Sequence, residues 1–300
     1  MKGIELFCGI GAFSLAAKRV LPNYECVLAA DLYKKAVEAF KAIHKCENVK
    51  CENALTVEIP KADIIFAGIP CQAFSTTARI KKNKEEDERR HLWKAVVRAA
   101  ELSNAAYILI EQVPGFIKSE NFLTEMDREL WRLGYIYHIP MILNSVDFGV
   151  PQRRKRFFCL SSKIPLHQKQ LKKKPKVSQK DCNVEIQKVL YKNWKRHIKF
   201  SAKNRVVPYM EPSLTVLYDD KSLYKNFMHL GEGDLRLFNL PEDFDIYAPT
   251  NKGLATLMGH LEYEDYADAR IEGLPVYEKF PILAGNSLVP QCAEFMLSHI

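Results

Sequence analysis

The stretch "DIIFAGIPCQAFS", Asp63–Ser75, decides how the rest of the chain is read. Ile64 to Ala67 form an apolar run of the length of a buried strand, and Gly68-Ile69-Pro70 turn the chain at its end. The first residue past the turn is Cys71. Pro70 fixes φ and stiffens the turn. A cysteine kept only for packing needs no such presentation. A nucleophile does, and a thiol becomes useful when positive charge or a helix N-terminus lowers its pKa. A buried packing thiol is the plainer alternative.

Around this strand the first 160 residues alternate strand-like and helix-like segments. "KGIELFCG", "YECVLAAD", "ADIIFAGIP" and "AAYILIEQV" read as strands; "AFSLAAKRVL", "YKKAVEAFKAIHK", "HLWKAVVRAAELS" and "NFLTEMDRELWRLGY" read as helices. In the first helix, Phe13, Leu15, Ala16, Val20 and Leu21 make an apolar face. "YIYHIPMILNSVDFG" and "RRKRFFCLSS" look like a pair of β segments. This alternation predicts an α/β fold, a Rossmann-like, mostly parallel sheet with helices on both faces. Ligands then bind at the carboxyl ends of the strands. After Ser162 the alternation stops. "NVEIQKVLYKNWKRHIKF" could form a basic amphipathic helix, and "AGNSLVPQCAEFMLSHI" is a loop opening an apolar one.

Composition bounds the function. The chain has 300 residues, 47% hydrophobic and 27% charged, as in ordinary globular proteins. No apolar run reaches the roughly 18–20 residues of a membrane span. The glycines of "MKGIELFCGIG" arrive too early for a signal peptide, so the expected location is cytoplasmic or nucleoid-associated. The eight cysteines are scattered without a C-x-x-C pair, which argues against a metal site and a disulfide framework. The net charge is +8 and uneven: Lys163 to Arg205 holds fourteen Lys/Arg against Asp181 and Glu185, a block of +12. Such a block suits a polyanion, or is a solvated lysine loop.

The strand ends carry the candidate chemistry. Gly9 and Gly11 form a G-x-G turn after the first strand, which lets a ligand approach the backbone at a helix N-terminus, or is a plain tight turn. Asp31 ends the second strand, placed either to accept ribose hydroxyls or to cap a helix. Glu111 and Gln112 tip the strand "ILIEQV". A carboxyl there should have a raised pKa, suited to a ring nitrogen, unless it caps a helix or pairs with arginine. In "VPQRRKRFF", Arg154 and Arg156 share one face if the segment is a strand.

These pieces, in this order, resemble the C5-cytosine-specific DNA methyltransferase family, which uses S-adenosylmethionine. "ELFCGIGAF" is similar to its cofactor loop, "GIPCQAFS" to its Pro-Cys loop, "EQV" to its Glu-Asn-Val, "QRRKR" to Gln-x-Arg-x-Arg and "AGNSLVPQ" to its C-terminal loop. The resemblance implies that Cys71 adds to C6 of cytosine, that Glu111 holds N3, and that Arg154 and Arg156 orient the base and favour the thiolate. It implies a cofactor site of Phe7, Gly9, Ile10, Gly11, Asp31, Leu32, Asn53, Pro70, Leu92, Asn286 and Ser287. It implies that the last helix packs beside the first strand, that 1–162 and 281–300 form the catalytic domain, and that 163–280 is a smaller, basic target-recognition region. The expected partner is double-stranded DNA, bound through the basic region Lys163 to Arg205 by a monomer with its target base flipped out. A cognate restriction endonuclease is a further possible partner.

Three residues depart from the family pattern. Asn53 stands where an acid is usual, Leu32 where an aromatic is, and Gln112 where an Asn supports the Pro-Cys loop; the last implies a slower enzyme rather than lost chemistry. The alternatives are a tRNA cytosine methyltransferase on the same scaffold, a non-catalytic nucleic-acid-binding relative, and a Rossmann-like enzyme acting on a small molecule.

Overall fold

The computed structural model describes residues 1–44, 46–70, 88–117, 120–150, 152–169 and 287–300, with three further two-residue strands. The elements are β1 Lys2–Leu6, α1 Ala12–Val20, β2 Glu25–Ala30, α2 Lys34–His44, β3 Val49–Lys50, β4 Ile64–Gly68, α3 Trp93–Ser103, β5 Tyr107–Gln112, α4 Glu120–Arg132, β6 Tyr137–Asn144, β7 Gln152–Arg153, β8 Lys155–Ser162 and, near the C-terminus, α5 Pro290–Leu297. The short strands are β9 Ile186–Gln187, β10 Ser213–Leu214 and β11 Ala248–Pro249; β10 pairs with β7 and β11 with β9.

Seven strands form one sheet in the order β3-β2-β1-β4-β5-β8-β6. β3, β2, β1, β4 and β5 are parallel; β8 runs antiparallel to both β5 and β6. From β1 the chain steps outward to β2 and β3, then crosses back to β4. The strand order therefore reverses between β1 and β4, where open α/β sheets leave a crevice for ligands.

Strand periodicity sorts side chains into two layers. On one face Ile4, Leu6, Ile65, Ala67, Ile108 and Ile110 meet Trp93, Val96 and Ala99 of α3 and Met126 and Leu130 of α4. On the other, Ile64, Phe66, Leu109, Phe158 and Leu160 meet Phe13 and Ala16 of α1 and Cys292 and Met296 of α5. Phe13 stacks on Phe66 with ring centres 5.2 Å apart. Val37 and Phe40 of α2 cover Ala29 and Val49 at the β3 edge. Helices cover both faces, as the alternation predicts.

The structure adjusts four details. The two-residue strand β3 carries no periodic signal of its own. The paired segments 137–144 and 155–162 are present, but the later one lies inside, leaving β6 at the edge. Val20 ends α1 and is exposed, while Leu21 turns inward. The last helix packs chiefly on α1 and β8 rather than beside the first strand, with Arg19 of α1 and Glu294 of α5 in contact at 2.8 Å. The expected basic helix, "NVEIQKVLYKNWKRHIKF", and most of 163–280 lie outside the described residues.

Candidate active site

β1 ends in a loop with three left-handed residues in five: Phe7 (φ +54°), Gly9 (φ +53°) and Gly11 (φ +81°). For a bulky aromatic this conformation is an outlier of the kind that clusters at ligand sites. The two glycines are needed for different reasons. A Cβ on Gly11 would lie 2.1 Å from His44 Nε2 and 2.7 Å from a Phe40 ring carbon, so Gly11 makes room for α2. Among the described residues a Cβ on Gly9 would meet nothing within 4 Å, so that side of the loop is open to them. His44 is buried and held neutral, its pKa pushed down to about 4 by loss of water. Its Nε2 lies 2.9 Å from the Ile10 carbonyl, which requires the Nε2–H tautomer. The Ile10 side chain is itself buried between α1 and α2, leaving only its backbone to serve a ligand.

Asp31 closes the loop from the end of β2. The Gly9 amide donates to Asp31 Oδ2 at 3.0 Å and the Tyr33 amide to Oδ1 at 2.8 Å. Burial raises its pKa while these amides oppose the rise. The carboxylate thus both turns the chain into α2 and holds the glycine loop in place. Leu32, next to it, is 67% exposed. The Asn53 side-chain Oδ1 accepts the Leu55 amide at 3.0 Å. Phe7, Leu55 and Leu92 are half-buried against the same core cluster, which also holds Ile69. A Cβ on Gly68 would lie 3.8 Å from the Phe7 carbonyl, so the ends of β1 and β4 run close together just before Pro70.

β5 supplies the polar end of the site. Glu111 is buried on the α1/α5 face, and Arg156 Nε meets its Oε1 at 3.0 Å. Burial raises the Glu111 pKa; Arg156, then Arg154, pull it back. Arg154 is buried between β7 and β8 and donates to the Ser287 carbonyl at 2.7 Å. Its backbone amide donates to Ser145 Oγ at 3.1 Å, and the Ser145 amide returns a bond to the Arg154 carbonyl at 3.2 Å. The two arginines therefore reach different partners while both act on Glu111. Gln112 is fully buried and folds back: its Oε1 accepts the Val113 amide at 2.7 Å and its Nε2 reaches the Pro70 carbonyl at 3.5 Å. The extra methylene of glutamine is taken up by this fold, which ties β5 to the turn after β4. Cys71 and Asn286 lie outside the described residues.

Sequence reasoning missed Glu5. It lies 1% exposed in the middle of β1, beneath α1. Ser14 donates to its Oε2 through both its amide, at 3.0 Å, and its hydroxyl, at 2.5 Å. Tyr24 Oη lies 3.1 Å from the same hydroxyl. Gly11, at the N-cap of α1, offers no side chain, so Glu5 caps the helix from the strand below. Burial pushes its pKa up to about 8. The signal available was an acid inside an otherwise apolar strand leading into a helix.

The sheet order and the crevice between β1 and β4 define an α/β fold of the Rossmann-like type. The C-5 cytosine-specific DNA methylase family model matches residues 1–232, and the chain belongs to that family. It is 29% identical over 171 residues to the Type II methyltransferase M1.HphI of Haemophilus parahaemolyticus, covering 53% of this chain and 45% of that protein. It is 34% identical over 166 residues to the Type II methyltransferase M.BanI of Aneurinibacillus aneurinilyticus, covering 53% and 38%. The chain thus spans less than half the length of these relatives. The solved Entamoeba histolytica methyltransferase EhMeth superposes with a TM-score of 0.72 at 17% identity over 100% of this chain and 97% of that one, a likeness of fold. Among the described residues no helix is long and apolar enough to cross a membrane.

Two outcomes follow from the loop and its support. Gly11→Ala should destabilise the fold by about 3 kcal/mol, from left-handed strain plus overpacking on His44 and Phe40. Gly9→Ala should cost only about 1 kcal/mol. Urea unfolding of the two variants measures the difference. Glu5 binds more protons folded than unfolded between its ordinary 4.5 and about 8, so stability falls as pH rises through that window. The fall is of order 1.4 kcal/mol per pH unit. In Glu5→Gln the slope of unfolding free energy between pH 6.5 and 8 should flatten by about that amount.

Proposed function

We propose that this chain transfers a methyl group from S-adenosylmethionine to C5 of cytosine in duplex DNA through a transient bond between Cys71 and C6. The observation that carries the reading is the buried Glu111 carboxyl, 3.0 Å from Arg156 at the strand-end edge that also holds the Pro70 turn. Family membership supports the base and the position, and the +12 block from Lys163 to Arg205 supports DNA as the partner. The open space over Gly9, with Asp31, the exposed Leu32 and half-buried Phe7, Asn53 and Leu92 around it, fits the cofactor. Pro70, Asn286 and Ser287 would complete its walls. S-adenosylmethionine held there would supply the methyl group that C5 takes up.

The remaining chemistry belongs to the chain's own residues. Cytosine C5 is too weak a nucleophile to take a methyl group unaided. The Cys71 thiolate adds to C6, and C5 becomes carbanion-like. Glu111, whose pKa is lifted by burial, keeps a proton for N3 and neutralises the charge that develops on the ring. Arg156 fixes the orientation of that carboxyl. Arg154, anchored to Ser287, adds positive potential that favours the thiolate. After methyl uptake a base removes the C5 proton and Cys71 leaves. The target base must leave the helix to reach the pocket. In the same reading 1–162 with 281–300 form the catalytic unit and 163–280 reads the target, the lysines contacting phosphates.

A duplex carrying 5-fluorocytosine should trap the chain as a denaturation-resistant adduct in the presence of cofactor. Cys71→Ser should abolish the adduct, and Glu111→Gln should lower turnover by roughly 10²–10⁴-fold. Methylation of total tRNA in place of duplex DNA would move the substrate to RNA, and no adduct on either would leave a binding module. The family pattern alone expects Gln112→Asn to speed turnover, but the substitution should instead lower it about tenfold, roughly 1.4 kcal/mol, because the shorter amide cannot both accept from Val113 and reach Pro70. Faster turnover would show glutamine to be the compromised residue.

A further inference from the structure

Two thiols meet at the β2–β3 edge. Cys26 lies in β2 opposite Gly3 of β1, and Cys46 lies between α2 and β3. The Cys46 thiol donates to the Cys26 carbonyl at 3.5 Å, which sets the two residues side by side. Both are half-buried against Cys8, Ala29, Val37, Phe40 and Val49. The backbone holds them there: the Ala29 amide donates to the Asn48 carbonyl at 3.1 Å, and the Asn48 side-chain amide donates to the Val27 carbonyl. Cys46 is thus pinned two residues from a fixed strand register, with its sulfur on the backbone of Cys26.

The pair is chemically unequal. The neighbouring Cys26 pulls the Cys46 thiol down to about 7 against its burial, with Lys18 adding positive charge. The same pairing, with burial and Glu5, pushes Cys26 up. Cys46 is therefore the thiolate-forming partner near neutral pH, and Cys26 is the neutral thiol held beside it. Neither residue has a part in the reaction proposed above.

We propose that Cys26 and Cys46 are a dithiol modification site that hydroperoxides oxidise to an intramolecular disulfide, with Cys46 reacting first. The Cys46 thiolate attacks one peroxide oxygen; the O–O bond breaks, a sulfenic acid forms, and hydroxide leaves and takes up a proton. The Cys26 sulfur then attacks the Cys46 sulfur; the S–O bond breaks, and the oxygen leaves as a second water with the Cys26 proton. Two thiols and one hydrogen peroxide give one disulfide and two waters. The closed bond ties the start of β3 to β2, one strand away from the glycine loop. A thiol reductant reverses it.

The test is titration of the full chain with hydrogen peroxide, read by intact mass and by a non-reducing peptide map. The expected result is the loss of two hydrogens, a single Cys26–Cys46 linked peptide, and recovery with dithiothreitol. Cys26→Ser should stop at a Cys46 sulfenic acid that dimedone captures. Cys46→Ser should leave Cys26 reduced, and its melting temperature checks that the variant is folded. Oxidation of the exposed Cys51 ahead of Cys46, or a bridge to any cysteine other than Cys26, would overturn the proposal. All of these readouts are independent of methyl transfer, and they are the same in a Cys71→Ser background.

Discussion

Antiparallel pairing of β8 beside β5 is the constraint on which the site depends. A parallel neighbour would bring its last residues to the edge where β5 ends. An antiparallel neighbour brings its first. In the observed register Glu111 faces Phe158 and Gln112 faces Phe157, so Arg156 stands just beyond, 3.0 Å from the carboxyl. Removing one partner of a buried ion pair typically costs 3–5 kcal/mol, because the other charge is left stranded. The register of one strand pair therefore fixes both the place of the carboxyl and its charge environment. The same entry point sets Arg154 against the carbonyl of Ser287, which ties the C-terminal segment to this edge.

Contacts along the carboxyl edge run from one side of the sheet to the other. Asp31 holds Gly9; the Phe7 carbonyl borders Gly68; Gln112 reaches Pro70; Glu111 meets Arg156; Arg154 meets Ser287. Each link joins the end of one element to the end of another, so no loop is placed by its own sequence alone. That explains how Phe7 keeps a left-handed backbone that an aromatic residue would not adopt in a free loop. Strain at one position is held by bonds made at its neighbours, and the resulting loop is set before any ligand arrives.

Much of this was legible in the residue pattern. Period-two and period-3.6 apolar spacing marks the longer strands and helices, because burial on one or both faces forces it. The polar tips, Asp31 and Glu111, stand out as acids at the ends of apolar runs, although a helix cap or an arginine pair explains such an acid equally well, and the structure shows Asp31 accepting the Tyr33 amide and Glu111 paired with Arg156. What was not legible depends on partners distant in sequence. β3 is only two residues long and exists because Ala29 and Ala30 offer it a ladder. The inner position of β8 is a choice between sheet neighbours that local pattern does not encode. The folding of Gln112 onto Pro70 needs β4 and β5 side by side. Cys26 and Cys46 are twenty residues apart and fit no metal or redox spacing, so only the β2–β3 pairing brings them together.

The two buried carboxyls of the α1/α5 face show how surroundings divide labour between like groups. Glu5 has donors around it, the Ser14 amide and hydroxyl, and its pKa is pushed up to about 8. A protonated acid can be buried without a counter-ion, which suits a group that caps a helix and supports a loop. Glu111 sits at the mouth of the sheet with two guanidinium groups acting against its burial. Burial raises its pKa and the guanidinium groups pull it back, so its charge state is set by opposing effects. Environments that set two acids to different tasks are how one scaffold runs structural and acid–base work at the same pH. A buried carboxyl without nearby arginines would have its pKa raised further, and an exposed one would not have it raised by burial. The antiparallel strand that delivers Arg156 is therefore also what sets the surroundings of Glu111 apart from those of Glu5.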